Sequence, residues 1–155
     1  MLRQSRRRTS QIRIYHRHWF LCHRGADPSV IAEIVGALDA NHQTVTVQEH
    51  DGLSMPLAAF RALVNREIDN GHRYFIVLLN EHLTGPIYRQ TFSPIMKRVG
   101  NEIAFYTMRI DDCDTEGVGL ASVDLAVVEG TEARRREIVS ICPTDRARCC
   151  GLHAA

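Results

Sequence analysis

The chain has 155 residues, 45% of them apolar and 24% charged, with a formal net charge of +1. That composition is enough for one hydrophobic core in a single domain of ordinary size. The near-neutral balance gives no whole-molecule field toward nucleic acid or a membrane surface, and no apolar run is long enough to cross a bilayer.

The charge is unevenly placed. Residues 1–26 carry Arg3, Arg6, Arg7, Arg8, Arg13, Arg17 and Arg24 and no acid; Asp27 is the first. Such a start suits an organellar transit peptide, a nucleic-acid arm or a solvated tail. The stretch MLRQSRRRTSQ has almost no apolar face, which favours a disordered tail over residues 1–17. No apolar h-region follows the charges, so a secretory signal is not expected. Cys22, Cys113, Cys142, Cys149 and Cys150 are odd in number and lack zinc spacing, which suits a reduced, cytoplasmic setting. The histidines show no H-x-E or H-E-x-x-H spacing, so no metal site is expected.

Taken in order, HWFLCH predicts a first strand with Trp19 to Cys22 as its apolar part. RGADP turns the chain, with Asp27 as N-cap and Pro28 at the first helical position. The helix that follows spaces Val30, Ile31, Ile34, Val35 and Leu38 along one face, and NHQ ends it. TVTVQ, Thr44 to Gln48, is a short β-branched strand. EHDGLSMP is a loop marked by Asp51-Gly52 and Pro56. A second helix carries Phe60, Leu63, Val64 and Ile68, and Gly71 suits the left-handed position after its end. Tyr74 to Leu79 is a continuous apolar run of strand length, which argues for burial on both faces and a parallel sheet.

Pro86 to Arg98 reads as a third helix that Pro94 must kink or split. EIAFYTMRI is a fourth strand, DDCDTEG an acidic loop and LASVDLAVV a fifth strand. Thr131 is placed to cap a last helix reaching Ile141, with Pro143 beyond. Strands alternating with helices predict an α/β fold: a flavodoxin-like, doubly wound sandwich with a five-stranded parallel sheet in the order 2-1-3-4-5 and helices on both faces. The expected domain spans residues 18–142. PTDRARCCGLHAA, residues 143–155, has no packing pattern and reads as a tail or linker. Neither G-x-G-x-x-G nor a P-loop lysine motif occurs.

Three stretches together resemble the Toll/interleukin-1 receptor (TIR) family, bacterial type. FLCHRGAD is similar to that family's first strand and turn, F-I-S-Y-S-x-x-D. VQEHDGLSMPLAAF looks like its second strand running into the long BB loop. IVLLNEHLTGPIYRQTF looks like its third strand and the S-P-x-C-x-x-E-[WL] segment that opens the third helix. A fainter likeness joins VDLAVVEGTEARRREI to the V-D-L-x-G-x-x-x-x-x-A-R-x-x-L ending. The resemblance spans about residues 18–141.

Many TIR domains assemble with one another through the BB loop; a subset cleaves NAD at the nicotinamide–ribose bond, using a glutamate at the start of the third helix. A carboxylate there stabilises the oxocarbenium-like charge at the anomeric carbon. In the matching register, Pro86 falls on the family's proline, Phe92 on its aromatic, Tyr88 on its cysteine and Thr91 on its glutamate. A threonine hydroxyl carries no charge near neutral pH. Cys22 and His23 replace Ser-Tyr, and the loop has Pro56-Leu57 where Pro-Gly is usual.

The candidate site therefore has two parts. His23, Arg24, Asp27, Tyr88 and Thr91 are the candidates for nucleotide binding, with Glu81 as a candidate to replace the missing glutamate from a different position. Each has a simpler role open to it: surface charge for Arg24, plain N-cap for Asp27, core packing for the aromatics, a solvated loop for Glu81. His50, Asp51, Gly52, Leu53, Ser54, Met55 and Pro56 form the candidate interaction loop, where Asp51-Gly52 also suits an ordinary turn. ARRRE, Ala133 to Glu137, is expected to be a solvated face.

The resemblance thus implies a cytoplasmic signalling or scaffold domain that associates with itself or with other TIR domains, without NAD hydrolysis and with no required cofactor. No nucleic-acid or membrane partner is expected. Whether the chain is an enzyme stays open. The alternatives are an NAD-cleaving enzyme with displaced residues and a non-catalytic sensor of NAD or ADP-ribose derivatives. Outside the family stands a receiver-like or plain α/β domain, although a receiver needs acids at strand ends that WFLCH and VLLN do not supply.

Overall fold

The computed structural model describes residues 14–118 and 121–144. The basic run before residue 14, the segment after residue 144 and the Cys149-Cys150 pair lie outside the described residues. Five parallel strands form one sheet in the order β2-β1-β3-β4-β5. They are β1 (His18–Cys22), β2 (Thr44–Val47), β3 (Tyr74–Leu79), β4 (Ala104–Arg109) and β5 (Val123–Asp124). Four helices alternate with them: α1 (Pro28–Asp39), α2 (Leu57–Asp69), α3 (Gly85–Val99) and α4 (Thr131–Val139). This is the doubly wound, flavodoxin-like order expected from the sequence. Among the described residues, no helix is long and apolar enough to cross a membrane.

Both faces of the sheet are covered, and successive residues of each strand serve opposite cores. Trp19, Leu21, Ile76, Leu78 and Met108 face α1 and α4, which contribute Ile34, Leu38 and Ile138. Phe20, Cys22, Phe75, Val77 and Leu79 face α2 and α3, which contribute Phe60, Val64, Phe92 and Ile95. In α1 the stripe is narrower than its spacing suggests. Ala37 is buried beside Ile34 and Leu38, whereas Val35 belongs to neither core. All four residues expected of α2 are buried.

Local chemistry sets the helix ends. Asp27 accepts from the Ser29 N–H at 2.9 Å and Pro28 begins α1. Gly71, with φ of 109°, follows the Asn70 cap of α2. Gly85 begins α3 pressed against the loop after β4: its N–H donates to the Asp114 carbonyl, and a Cβ there would collide with the Thr115 and Glu116 backbone.

Three expectations need correction. Pro94 does not split α3, which runs unbroken for 15 residues. The ring removes the N–H that would serve the Gln90 carbonyl. Arg61 of α2 reaches across instead, donating to the Gln90 carbonyl at 3.4 Å and to that of Thr91 at 3.3 Å. The fifth strand is two residues long, because Asp124 folds back to accept from the Ala126 N–H and starts a 3-10 turn over Leu125–Val127. Thr131 does not cap α4. Gly130 does, with φ of 94° and no side-chain bond, and the helix stops at Val139 rather than Ile141.

Described residues on either side of 18–142 also meet one another. Ile14 bridges Thr144, and the Tyr15 N–H donates to the Pro143 carbonyl at 3.1 Å. Gln43 ties this start to the sheet: its amide donates to the Tyr15 carbonyl, and its Oε1 accepts from Trp19 Nε1 at 2.8 Å.

One ion pair joins helices across the chain. Arg134 of α4 holds Glu33 of α1 in a two-pronged contact of 2.7 and 2.8 Å, and also donates to the Leu125 and Val128 carbonyls. Bidentate, charge-assisted bonds of this kind are stronger than a solvated surface pair. Replacing Arg134 with alanine is expected to destabilise the fold by about 2 kcal/mol, since the Glu33 carboxylate and two carbonyls lose a charged donor together. Urea denaturation should show a lower midpoint with an unchanged slope.

Candidate functional site

Ligands of doubly wound sheets bind beyond the C-terminal strand ends, where the strand order reverses. Here that point lies between β1 and β3, and the loops that leave β1, β2 and β3 are tied to one another. After β1 the chain gives His23, Arg24 and Gly25. The Gly25 N–H donates to the Asp51 carbonyl at 2.6 Å. Gln48, buried at the end of β2, accepts from the His23 N–H and donates to the His50 carbonyl. Asn80, buried at the end of β3, donates to the Arg24 carbonyl at 3.0 Å and accepts from the His82 N–H at 2.9 Å.

Arg24 points along the loop after β2. Its guanidinium donates to the carbonyls of Gly52, Leu53 and Met55 at 3.2 to 3.4 Å. It therefore holds loop 50–56 in one shape. Asp51 adds an Asx turn by accepting from the Leu53 N–H at 3.0 Å. Leu53 lies over Gly25, whose φ of 63° and missing Cβ make room for it. His50 and Ser54 are exposed, and Pro56 sits immediately before α2.

His23 is buried beneath this loop. Its Nδ1 accepts from the Ala26 N–H, so the ring carries its proton on Nε2. Burial holds the imidazole below its ordinary value of 6.5, with the Asp51 charge opposing.

A crevice of about 300 Å³ opens beside the clamp, between Gly25, Asp27, Val30, Asn80, Glu81 and Asp111. Asp27, Glu81 and Asp111 make it acidic. The Glu81 side chain pairs with His82 Nε2 at 3.1 Å and is largely exposed. Asp111 accepts from the Glu81 N–H through Oδ2 and lies beside the Cys113 thiol, whose pKa is pushed up to about 11 by burial first and this carboxylate second. The nearby cations are engaged: Arg24 on loop carbonyls, Arg109 on Asp112 and Asp124. No group of three metal-ligating side chains occurs among the described residues.

Tyr88 and Thr91 lie elsewhere. Tyr88 is in the core under α3, stacked on Phe92 with centroids 4.7 Å apart. Burial raises its pKa, and the Cys22 thiol, itself raised by complete burial, adds to the shift. Thr91 is fully buried, and its hydroxyl has no hydrogen-bond partner. The structure thus gathers His23, Arg24, Asp27, Glu81 and loop 50–56 at one end of the sheet and leaves Tyr88 and Thr91 outside the crevice. The sequence reading missed Gln48, Asn80 and Asp111. A polar residue closing an apolar strand was the available signal for the first two.

Comparison of the chain with family models, with curated proteins and with solved structures gives no match. What is defined is the class: an α/β domain with flavodoxin-like strand order whose reversal point carries a clamped loop and a small acidic crevice.

Two outcomes follow. Thr91→Val removes an unpaired buried hydroxyl at constant shape and is expected to leave stability unchanged or raise it by up to about 1 kcal/mol, whereas Thr91→Glu buries a carboxylate without a partner and should cost more than about 3 kcal/mol. Thermal melts of the two variants beside the parent check this. For His23 the unfolded chain binds a proton more readily than the native one, so stability rises with pH through the region just below 6.5. His72, also lowered chiefly by burial, acts with the same sign. The urea midpoint should therefore fall between about pH 7.5 and pH 5, and His23→Asn, which keeps an acceptor but cannot titrate, should flatten part of that fall.

Proposed function

We propose that the chain is a TIR-like scaffold module that works by homotypic association through loop 50–56, without hydrolysing NAD. The observation that carries this reading is Leu53. Among the described residues Leu53 and Val127 are the large apolar side chains left exposed, at 43% and 70%. A leucine on a loop that Arg24 holds in one conformation loses little entropy on docking, which is the condition for a loop to act as an interface knob. Leu53 follows β2 at one edge of the sheet and Val127 follows β5 at the other. Two unlike patches on opposite edges suit a head-to-tail contact, which propagates from copy to copy.

The absence of hydrolysis is supported by two features. Thr91, at the position the TIR resemblance gives to the catalytic acid, is neutral and enclosed. The crevice is small for a dinucleotide, lined by carboxylates, and without a free cation for a pyrophosphate. A second reading is favoured by one observation. Glu81 and Asp111 do place carboxylates at the switch point, where they could stabilise positive charge on a ribose. The protein would then be an NAD-cleaving enzyme with displaced acids.

Sedimentation across a concentration series tests the first reading. The parent should self-associate, and Leu53→Asp and Val127→Asp should each weaken association at least about tenfold with melting temperatures unchanged. A protein that stays monomeric throughout, or variants that associate as the parent does, would overturn it. Incubation with NAD should release no nicotinamide. Release that Glu81→Gln or Asp111→Asn abolishes would establish the second reading instead.

A further inference from the structure

The opposite end of the sheet holds a larger cavity, of about 870 Å³. It opens where the strands begin, below the face that α1 and α4 cover. Arg17 and His18 line it from the start of β1, Tyr74 from the start of β3, Tyr106 from β4, and Ile141 and Pro143 from the turn after α4. Its origin is simple. The short α4 ends at Val139, so the sheet runs on past its cover and leaves the tyrosines half-buried.

The lining has the chemistry of a binding site. Tyr74 and Tyr106 line it, and the fully buried Trp19 backs them, touching Tyr106 edge-on at 5.3 Å and Tyr74 at 5.7 Å. The Arg17 guanidinium lies over the Tyr74 ring, 4.1 Å from its centre, with Nη1 3.4 Å from the Tyr106 hydroxyl. The ring contact fixes the guanidinium in place but does not neutralise it. Among the described residues Arg17 has no carboxylate partner. His16 adds a second nitrogen-bearing side chain to the same wall. A half-buried guanidinium without a counter-ion, beside flat apolar surfaces, favours an anion with a planar body.

We propose that this cavity binds a small anion carrying a flat ring, with the ring against Tyr74 and Tyr106 and the anionic group on Arg17. The volume lies in the range of sites for small organic ligands. Nucleoside monophosphates and aromatic carboxylates share this chemistry. The site is separate from loop 50–56, which lies at the other end of the sheet, so it stands whether or not the chain self-associates.

Trp19 is the single tryptophan, and it packs directly behind the Tyr74 and Tyr106 rings, so its emission reports on a ligand that moves them. The full chain is titrated with adenosine monophosphate, phenylacetate and inorganic phosphate, followed by Trp19 fluorescence and calorimetry. At least one ring-bearing anion should bind saturably at concentrations below about 10 mM, and phosphate should not. Binding of the nucleotide alone assigns a nucleotide site; binding of phenylacetate alone assigns an aromatic acid site. Arg17→Gln should weaken the bound ligand about tenfold or more, and Tyr106→Leu should weaken it while leaving the charge in place. Circular dichroism confirms that each variant is folded. No saturation by either ring-bearing anion, equal affinity in Arg17→Gln, or phosphate binding as tightly as the best ligand would each overturn the proposal.

Discussion

A parallel sheet must be covered on both faces, and this constraint organises the whole molecule. Phe75 to Leu79 of β3 are fully enclosed, with alternate residues serving different helix pairs. No polar chemistry can be built on such faces without leaving buried groups unpaired. It is pushed to the two ends of the strands. At the C-terminal end it appears as the Arg24 clamp and the acidic crevice; at the N-terminal end, as the Arg17–Tyr74 contact and the large cavity.

The two ends use arginine differently. Arg24 donates to three backbone carbonyls and so shapes a loop. Arg17 faces a ring and keeps its charge available. The same residue type, seven positions apart on either side of one strand, shapes a loop in one place and faces an open cavity in the other. Position relative to the strand, rather than charge, separates the roles.

Much of the framework was legible because it rests on local pattern. The apolar run Tyr74 to Leu79, the stripe Phe60, Leu63, Val64 and Ile68, and the Asp27-Pro28 helix start each follow from short-range rules. The misreadings share another cause: long-range contacts. Pro94 is tolerated because Arg61, thirty-three residues earlier in the chain, supplies a donor. β5 ends early because the Asp124 carboxylate turns back onto its own backbone while pairing with Arg109. Arg24 and Asp111 show their roles only once the loops after β1, β2, β3 and β4 converge. Residues 15–18 straddled the boundary between expected tail and domain, so the lower cavity had no sequence signature.

The Arg61 contact has a consequence for how the fold assembles. A mid-chain proline makes the regularity of α3 conditional on its neighbour: until α2 has docked in register, the Gln90 carbonyl competes for water and that helix is free to bend. The guanidinium therefore ties α2 to α3 at the one turn of α3 whose own backbone bond the proline removes, so the regularity of one helix depends on the docking of the other.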